Sequence, residues 1–293
     1  MRIDLHTHSD RSDGTDTPRD LVRRAKECGI DVLGLTDHDT TEGWAEAAEA
    51  ALEAGITLVR GLEISCKLAG HGVHLAAYLP DPTYEPLAAE LRRILDGRDA
   101  RLPATLQKLR DVGIDIHEHD VRRLASGAAA VGRPHVADAL VEKGVVTHRG
   151  EAFDKLLGSH GPAYVPRYAA PLDAMVRTVR EAGGVSVIAH PWAKRHNFEA
   201  LDEERFAALK ELGLAGLEVD HEDHDPQTRD RLRAVARNLG LVVTGSSDYH
   251  GEGKLDHELG CNTTAPDEYA RLIELAHASA ASSGRSTPEV LNP

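Results

Sequence analysis

The chain has 293 residues, of which 41% are hydrophobic and 28% charged, as in a folded globular protein of one large domain or two modest ones. Its formal net charge of −14 argues against a broad surface for long nucleic acids or anionic membranes, because both would be repelled. Three unpaired cysteines, no secretory h-region and no apolar run near ~18 residues predict a cytoplasmic protein with reduced thiols.

The first part of the chain alternates short apolar runs with helical patterns. A strand opening at Ile3 is followed by a polar loop over 9–17, a helix over 18–29 and a strand over 31–35. A helix over 41–54 and strands over 56–62 and 73–79 complete this part. The alternation predicts an α/β fold with a mostly parallel sheet and helices outside it.

The alternation of predicted strands and helices stops between residues 84 and 160. Four helical patterns, over 87–112, 121–125, 134–143 and 151–157, have no comparable apolar strand between them and predict a helical insertion. Alternation then resumes, with strands over 185–189, 215–219 and 241–244 and a last helix over 266–277. We therefore predict about seven strands in a unit made of 1–83 and 161–278, the insertion 84–160, and a disordered Ser-rich tail 279–293.

Side chains that can bind metals recur where the predicted strands end. Because ligand sites in α/β sheets lie at the carboxyl ends of the strands, we expect these side chains to converge. Six histidines with three carboxylates suit two or three divalent ions of the Mn, Fe or Zn kind, and neither a calcium cage nor a sulfur-rich structural zinc site. His74 is the exception in position, because it lies near the start of its apolar run. The predicted ligands are His6, His8, Asp13, His38, Glu63, His74, His190, Asp248 and His250.

Several short motifs, in this order along the chain, resemble those of the PHP (polymerase and histidinol phosphatase) superfamily. The resemblance spans nearly the whole chain and implies a distorted (β/α)7 barrel with a two- or three-metal site. Here the barrel would carry the helical insertion described above. The motifs are Asp4-Leu5-His6-Thr7-His8, Thr36-Asp37-His38, Gly61-Leu62-Glu63-Ile64, His74, Ala189-His190-Pro191 and Ser247-Asp248-Tyr249-His250.

The resemblance also implies how the ligands divide among the ions. One ion would be held by His6, His8, Glu63 and Asp248. Glu63 would bridge to a second ion held by His74 and His190, while Asp13, His38 and His250 would hold a third ion or contact substrate and solvent. Manganese is the expected metal, with iron, zinc or magnesium as alternatives.

Two further motifs lead to an expectation about the substrate. Gly132-Arg133-Pro134-His135 and Ala163-Tyr164-Val165-Pro166 are similar to those of stand-alone phosphoesterases acting on 3',5'-bisphosphonucleotides, some relatives of which trim short RNA from the 5' end. Arg133 matches a phosphate-contacting arginine of that group, and His135 is a candidate contact beside it. After His190 the chain departs from the group's pattern, which leaves open whether Lys194 or Arg195 supplies a second phosphate-binding cation.

Phosphate-ester chemistry agrees with such a ligand set. Hydrolysis of a phosphate monoester needs rate accelerations of up to about 10²¹, whereas one general acid or base supplies only about 10² to 10⁴. Metal ions must therefore supply most of the remaining acceleration. The expected reaction is in-line attack by a hydroxide shared between two ions. The expected catalytic side chains are Asp248 and two histidines, His38 and His250, with a site histidine or a metal-bound water protonating the leaving oxygen.

The sequence therefore predicts a metal-dependent phosphoesterase that removes the 3'-phosphate of a small 3',5'-bisphosphonucleotide. Histidinol-phosphate phosphatase and 5' to 3' trimming of short RNA are the enzymatic alternatives, and a non-catalytic metal-binding module is the alternative from another class. The oligomeric state stays open. The charged run 218–224 after the strand 215–219 is typical of an exposed loop, and we do not expect it to ligate metal.

Overall fold

The computed structural model describes residues 1–193 and 200–293, which form an α/β structure around one curled sheet. This confirms the predicted fold class. Lys194 and Arg195 lie outside the described residues. The strands are β1 (Ile3–Thr7), β2 (Val32–Leu35), β3 (Thr57–Leu68), β4 (His71–Tyr78), β5 (Ala170–Pro171), β6 (Val185–Ala189), β7 (Leu214–Asp220) and β8 (Val242–Gly245).

The strands run in the order β1-β2-β3-β4-β6-β7-β8, with the two-residue β5 paired to β3. A parallel bridge between Thr7 and Tyr249 brings the two ends of this order together, and the His8 N–H donates to the Tyr249 carbonyl at 2.9 Å. The buried Asp4 carboxylate accepts from the N–H groups of Ser247 and Gly260 at the same junction. The sheet therefore curls into a half-barrel whose β1 and β8 sides are joined at their carboxyl ends.

One strand runs against the predicted direction. β4 is antiparallel to both neighbours, forming a hairpin with the long β3 and pairing His74 with Ala189 of β6. Because β4 is reversed, its start lies at the edge where the other strands end. This explains why His74 breaks the positional pattern of the other candidate ligands, and it corrects the expectation of parallel pairing at this strand.

The helices surround this sheet. Elements α3 to α6 all fall within 84–160 and no strand of the described structure lies there, while the division into barrel and insertion stays our prediction. The helices are α1 (Pro18–Glu27), α2 (Trp44–Ala54), α3 (Glu85–Asp111), α4 (Glu118–Leu124), α5 (Arg133–Glu142), α6 (Arg149–Ala152), α7 (Leu172–Glu181), α8 (Glu203–Leu212), α9 (Pro226–Leu239) and α10 (Pro266–Ser283).

The described side chains form three hydrophobic clusters. The largest packs α1, α2 and α7 to α9 on the outside of the sheet, for example Leu21 against Leu33 and Leu35. A second takes side chains from all seven strands of the main path together with Leu272 of α10, which places it inside the curl. A third, built around Leu106 and Leu140, lies within the later part of α3 and the segments up to Ala163, while Leu87, Leu91 and Ile94 of α3 pack in the largest cluster. Most of the predicted insertion thus has its own core, and the start of α3 packs with the rest of the chain.

The tail differs from the prediction. α10 continues to Ser283, and Leu291 exchanges backbone hydrogen bonds with Leu58 at 2.9 and 3.1 Å, so residues 279–293 are ordered against the barrel and not disordered. The helical stretch 266–283 keeps contact with the sheet through Leu272 and Ala276, which a composition rich in Ser does not reveal. None of the described helices is both long enough and apolar enough to cross a bilayer.

Gly34 in β2 gives a test of this packing. A Cβ at this position would lie 2.3 Å from the Leu5 carbonyl oxygen of β1. We expect Gly34→Ala to lower the free energy of unfolding by about 3 kcal/mol or more, because backbone cannot move aside as a flexible side chain can. Gly72→Ala in β4 is the control, because its Cβ would meet no atom within 4 Å. Urea unfolding at a fixed metal concentration measures both, and equal midpoints would contradict the expectation.

Candidate metal centre

The nine predicted ligands come together at the edge of the sheet where β1 and β8 meet. Their nitrogen and oxygen atoms fall into overlapping groups, each within 4.8 Å, that share His6, His8, His38 and Glu63. The groups are His8, Asp13, His38 and His250; His6, His8 and Asp248; His6, Glu63 and His190; and His38, Glu63 and His74. The convergence expected from the sequence is therefore present in the fold.

β1 carries His6, and His8 directly follows this strand. The register between β1 and β2 shifts between Asp4 and Thr7, and such irregularities commonly re-aim side chains next to active sites. His6 and His8 are fully buried, and their Nε2 atoms lie 3.1 Å apart. Both Nε2 atoms also lie within 3.6 Å of Asp248 Oδ1. Two imidazole nitrogens and one carboxylate oxygen thus lie at the corners of a triangle with sides of 3.1 to 3.6 Å.

Glu63, at the C-terminal side of β3, stands at the centre of the histidines. Its Oε1 lies 2.9 Å from His74 Nδ1, 3.1 Å from His190 Nε2 and 3.4 Å from His6 Nε2. Its Oε2 lies 3.0 Å from His38 Nδ1 and 3.4 Å from His8 Nε2. Because each oxygen faces a different set of imidazoles, this carboxylate has the geometry of a bridge between two ligand groups.

The group that contains Asp13, His38 and His250 lies nearer to solvent than His6 and His8 do. His250 Nε2 lies 3.3 Å from Asp13 Oδ1, and His38 Nε2 lies 3.6 Å from Asp13 Oδ2. His38 and His250 are 9% and 8% exposed, in contrast to the fully buried His6 and His8. The His250 ring hydrogen-bonds the Asp248 carbonyl through Nδ1 at 2.8 Å, which directs Nε2 toward Asp13. These side chains are therefore slightly more open to solvent than His6 and His8, while His74, with 30% of its side chain exposed, is more open than any of them.

The carboxylates remain ionised in this environment. Burial alone would raise the pKa of Glu63, but His74, His38 and His6 hold that pKa well below its usual value. Burial opposes ionisation of Asp248 in the same way, while Lys254, His6 and His250 lower its pKa. Ionised carboxylates are the form that binds cations.

His8, in contrast to the carboxylates, is held in its uncharged form. Burial and the nearby His250 lower the pKa of the His8 imidazole to about 3, so the ring is neutral at physiological pH. A neutral imidazole nitrogen with an accessible lone pair is the form that ligates metals.

Glu218 on β7 is a site residue that sequence reasoning missed. It is 2% exposed, its Oε1 lies 3.1 Å from His6 Nδ1, and its Oε2 accepts from the His190 N–H at 2.9 Å. Burial raises its pKa, but His6, His221 and His190 bring it down to about 2. A carboxylate on Nδ1 fixes the tautomer that leaves Nε2 free for a metal. Its place at the end of a strand was the signal that could have identified it.

His221, which follows β7, corrects the expectation of an exposed loop. It is fully buried, and its Nδ1 accepts from the Asp223 N–H at 3.1 Å. In the neutral ring Nε2 then carries the proton, and it lies 3.2 Å from Asp248 Oδ2, where it can donate. The Lys254 ammonium also donates to Asp248 Oδ2. His221 and Lys254 therefore position Asp248 from the side opposite His6.

The backbone that carries these side chains is held in place and partly strained. Asp37 accepts from the Ser9 N–H and from the hydroxyls of Ser9 and Ser12, which ties down the loop bearing Asp13. His190 and Asp248 have φ of 29° and 53°, in the left-handed region. Non-glycine residues there cost about 1–3 kcal/mol each and cluster at functional sites.

Two of the four predicted phosphate contacts, Arg133 and His135, lie on the insertion. Arg133 begins α5 and donates to the Leu157 carbonyl at 3.0 Å, with its guanidinium 5.3 Å from the Phe153 ring centre. His135 is 4% exposed, and its Nδ1 accepts from the Gly132 N–H at 3.0 Å, so it caps the start of α5. Arg149 of α6 joins the insertion to the site loop through the Asp13 carbonyl. Phosphate contact by Arg133 and His135 stays a prediction, and Lys194 and Arg195 lie outside the described residues.

The residues present fit metal ions. Glu218 lies against His6 Nδ1, which leaves His6 Nε2 facing His8 Nε2 and the carboxylates of Glu63 and Asp248. Burial lowers the pKa of His6, but Glu218, Glu63 and Asp248 raise it well above its usual value. A positive charge is therefore favoured among these carboxylates, and a metal ion can supply it in place of the proton. Imidazole with carboxylate is the donor set of Mn, Fe and Zn sites in proteins.

Comparisons with known proteins agree with this site. Residues 4–89 match the PHP domain family. A 5'-3' exoribonuclease from Haemophilus influenzae is 35% identical over 85% of this chain and 90% of its own. A 3',5'-nucleoside bisphosphate phosphatase from Chromobacterium violaceum is 34% identical over 90% of this chain and 92% of its own.

A solved structure extends the likeness to the fold. The crystal structure of a protein assigned as a metal-dependent phosphoesterase in Bifidobacterium adolescentis matches with a TM-score of 0.89 and 36% identity. The match covers 93% of this chain and 96% of that chain. With relatives of this identity over almost their whole length, and with the clustered ligands described above, the chain belongs to the PHP family and is a metal-dependent phosphoesterase, a hydrolase of phosphoric ester bonds.

Proposed function

We propose that the enzyme removes the 3'-phosphate of a small 3',5'-bisphosphonucleotide, using two or three divalent ions with manganese as the first choice. The observation that carries this proposal is Glu63, whose two oxygens are flanked by different sets of imidazoles. The Chromobacterium relative, named for this activity, supports the nucleotide assignment. The described cysteines Cys28, Cys66 and Cys261 are all free, which supports a cytoplasmic location.

The ligand assignment keeps the division among ions that the family resemblance implies. Glu63 would bridge one ion held with His6, His8 and Asp248 to a second held with His74 and His190. Asp13, His38 and His250 would hold a third ion or contact the substrate. When bound, such ions supply a nucleophile from water at neutral pH and withdraw charge from the phosphate oxygens.

The protein's own side chains orient this centre and move the proton. Glu218 and His221 keep His6 and Asp248 in the ligating geometry. His38 and His250, on the solvent side, are placed to give a proton to the leaving alkoxide. Arg133 and His135 approach from the insertion, and we assign them to the phosphate oxygens, since a guanidinium fork matches phosphate geometry.

Hydrolysis of short RNA from the 5' end is the second candidate, and the exoribonuclease from Haemophilus influenzae favours it. Both reactions break a phosphate ester beside a nucleoside, so the same metal centre serves either. Histidinol phosphate is the control substrate, because it carries a phosphate monoester without a nucleoside.

Product release decides between these substrates. The protein is treated with chelator and reloaded with Mn²⁺. Release of phosphate is measured with adenosine 3',5'-bisphosphate and histidinol phosphate, and release of nucleoside 5'-monophosphate is measured with a 5'-phosphorylated RNA dinucleotide. We expect metal-dependent release, with the highest kcat/KM for the bisphosphate. A higher kcat/KM for histidinol phosphate would reject the nucleotide assignment, and a higher value for the dinucleotide would favour the exonuclease.

Asp248→Asn tests the centre itself. Losing a charged ligand removes several kcal/mol of charge stabilisation in the transition state, so we expect kcat/KM to fall by at least about 10³-fold. Asp230→Asn, at an exposed position of α9, is the matched control and should behave as wild type. Bound Mn²⁺, measured by elemental analysis after dialysis, should fall in Asp248→Asn alone. Unchanged metal content and turnover would show that Asp248 is not a ligand.

Glu218→Gln tests the positioning role. A glutamine cannot accept from both His6 Nδ1 and the His190 N–H, because one of its two polar atoms is a donor. We expect Mn²⁺ affinity to fall by about 10- to 100-fold, with activity largely restored at saturating Mn²⁺. Glu222→Gln, exposed and four residues further on, is the control. Lost activity at unchanged Mn²⁺ affinity would contradict a positioning role.

A further inference from the structure

One guanidinium group of the insertion lies between the two segments that carry Asp13 and His250. Arg149 begins α6, and only 10% of its side chain is exposed. The loop 9–17 follows β1, and the helical turn 251–253 directly follows His250. A nearly buried cation beside a centre that binds cations is unfavourable unless a carboxylate pairs with it, so its place needs an explanation.

Asp138 of α5 neutralises this guanidinium. Arg149 Nε donates to Asp138 Oδ1 at 2.5 Å, and Arg149 Nη2 donates to Asp138 Oδ2 at 2.6 Å. Such a two-point contact fixes the plane of the guanidinium as well as its position. The pair therefore leaves Nη1 as an oriented hydrogen-bond donor that adds no net positive charge beside the metal centre.

This Nη1 atom holds the loop that carries Asp13. It donates to the Asp13 carbonyl oxygen at 2.7 Å, while the carboxylate of the same residue lies 3.3 Å from His250 Nε2. The insertion contacts the loop a second time, where the Ala129 N–H donates to the Arg11 carbonyl at 2.9 Å. The position of the Asp13 backbone is therefore set from the insertion, while its side chain faces the other ligands.

The same guanidinium lies against the turn that follows His250. A Cβ on Gly253 would collide with Nη1 and Cζ of Arg149, so the side chain fits here because this residue is a glycine. The turn is joined to the loop 9–17 as well, because the Glu252 N–H donates to Thr15 Oγ1 at 3.0 Å. Arg149 thus contacts both segments whose side chains form the pair of Asp13 and His250.

We infer that Arg149 is a positioning residue for metal binding, which holds Asp13 and His250 in ligand geometry so that Mn²⁺ affinity depends on the packing of the insertion. The inference rests on the proposed assignment of Asp13 and His250 to the metal centre. Ligands that are held in place before an ion arrives lose less conformational freedom when they bind it. By linkage, bound metal in turn stabilises the contact between the insertion and the loop.

Arg149→Met tests this role, with Arg123→Met as the matched control. Arg123 also pairs with a carboxylate of α5, that of Glu142, but its side chain is 58% exposed. The protein is treated with chelator and titrated with Mn²⁺, and the free ion is measured by electron paramagnetic resonance, so no substrate is needed. We expect the dissociation constant of the weakest Mn²⁺ site to rise about 10- to 100-fold in Arg149→Met and to keep its wild-type value in Arg123→Met.

Asp13→Asn separates this inference from the proposed ligand set. Loss of a charged ligand should weaken the same Mn²⁺ site at least as much as Arg149→Met does. Unchanged affinity in Arg149→Met alone would overturn the positioning role and leave the ligand assignment intact. Unchanged affinity in both variants would overturn the assignment of Asp13 and the inference with it.

Gly253→Ala is a second variant, and it keeps every charge. Its methyl group would displace the Arg149 guanidinium, whereas in the control Gly72→Ala the added Cβ meets no atom within 4 Å. We expect weaker Mn²⁺ binding in Gly253→Ala alone, with kcat largely restored at saturating Mn²⁺, because all the ligands are still present. A fall in kcat at wild-type Mn²⁺ affinity would contradict the positioning role.

Discussion

The structure depends on the convergence of five imidazoles on one buried carboxylate at the sheet edge. Glu63 alone is within 3.4 Å of nitrogens from His6, His8, His38, His74 and His190. These histidines come from β1, from β4 and from the ends of β2 and β6, so the sheet must curl for all of them to reach one residue. The curl in turn brings β1 to the end of β8, where Asp4 and Tyr249 join the two sides.

The sequence predicted the α/β class and the nine ligand candidates because strand ends carry a readable signal. An apolar run that stops at His, Asp or Glu identifies both the strand and the edge to which it points. The direction of β4 was not readable in this way. Its reversal depends on a hairpin with β3, which extends to Leu68 and is longer than the predicted strand. Only the position of His74, near the start of its apolar run, indicated that β4 is reversed.

The residues that support the ligands were harder to find, for a physical reason. Glu218 and His221 lie in a run of charges that sequence alone does not distinguish from an exposed loop, because burial depends on which strands flank it. The two arginines that donate to Ser65, Arg98 of α3 and Arg167 before β5, lie far apart in sequence, and no local pattern links them. Contacts between residues far apart in sequence depend on the fold, whereas a ligand at the end of a strand can be identified from the local sequence alone.

The arrangement divides the chemistry between two parts of the chain. The curled sheet supplies imidazoles and carboxylates, which attract cations, while the helices between 85 and 142 and the segment at Arg167 bring guanidinium groups, which attract anions. In a chain with net charge −14, the two kinds of site can lie side by side because Asp39 and Ser65 separate them with a shared hydrogen-bond network.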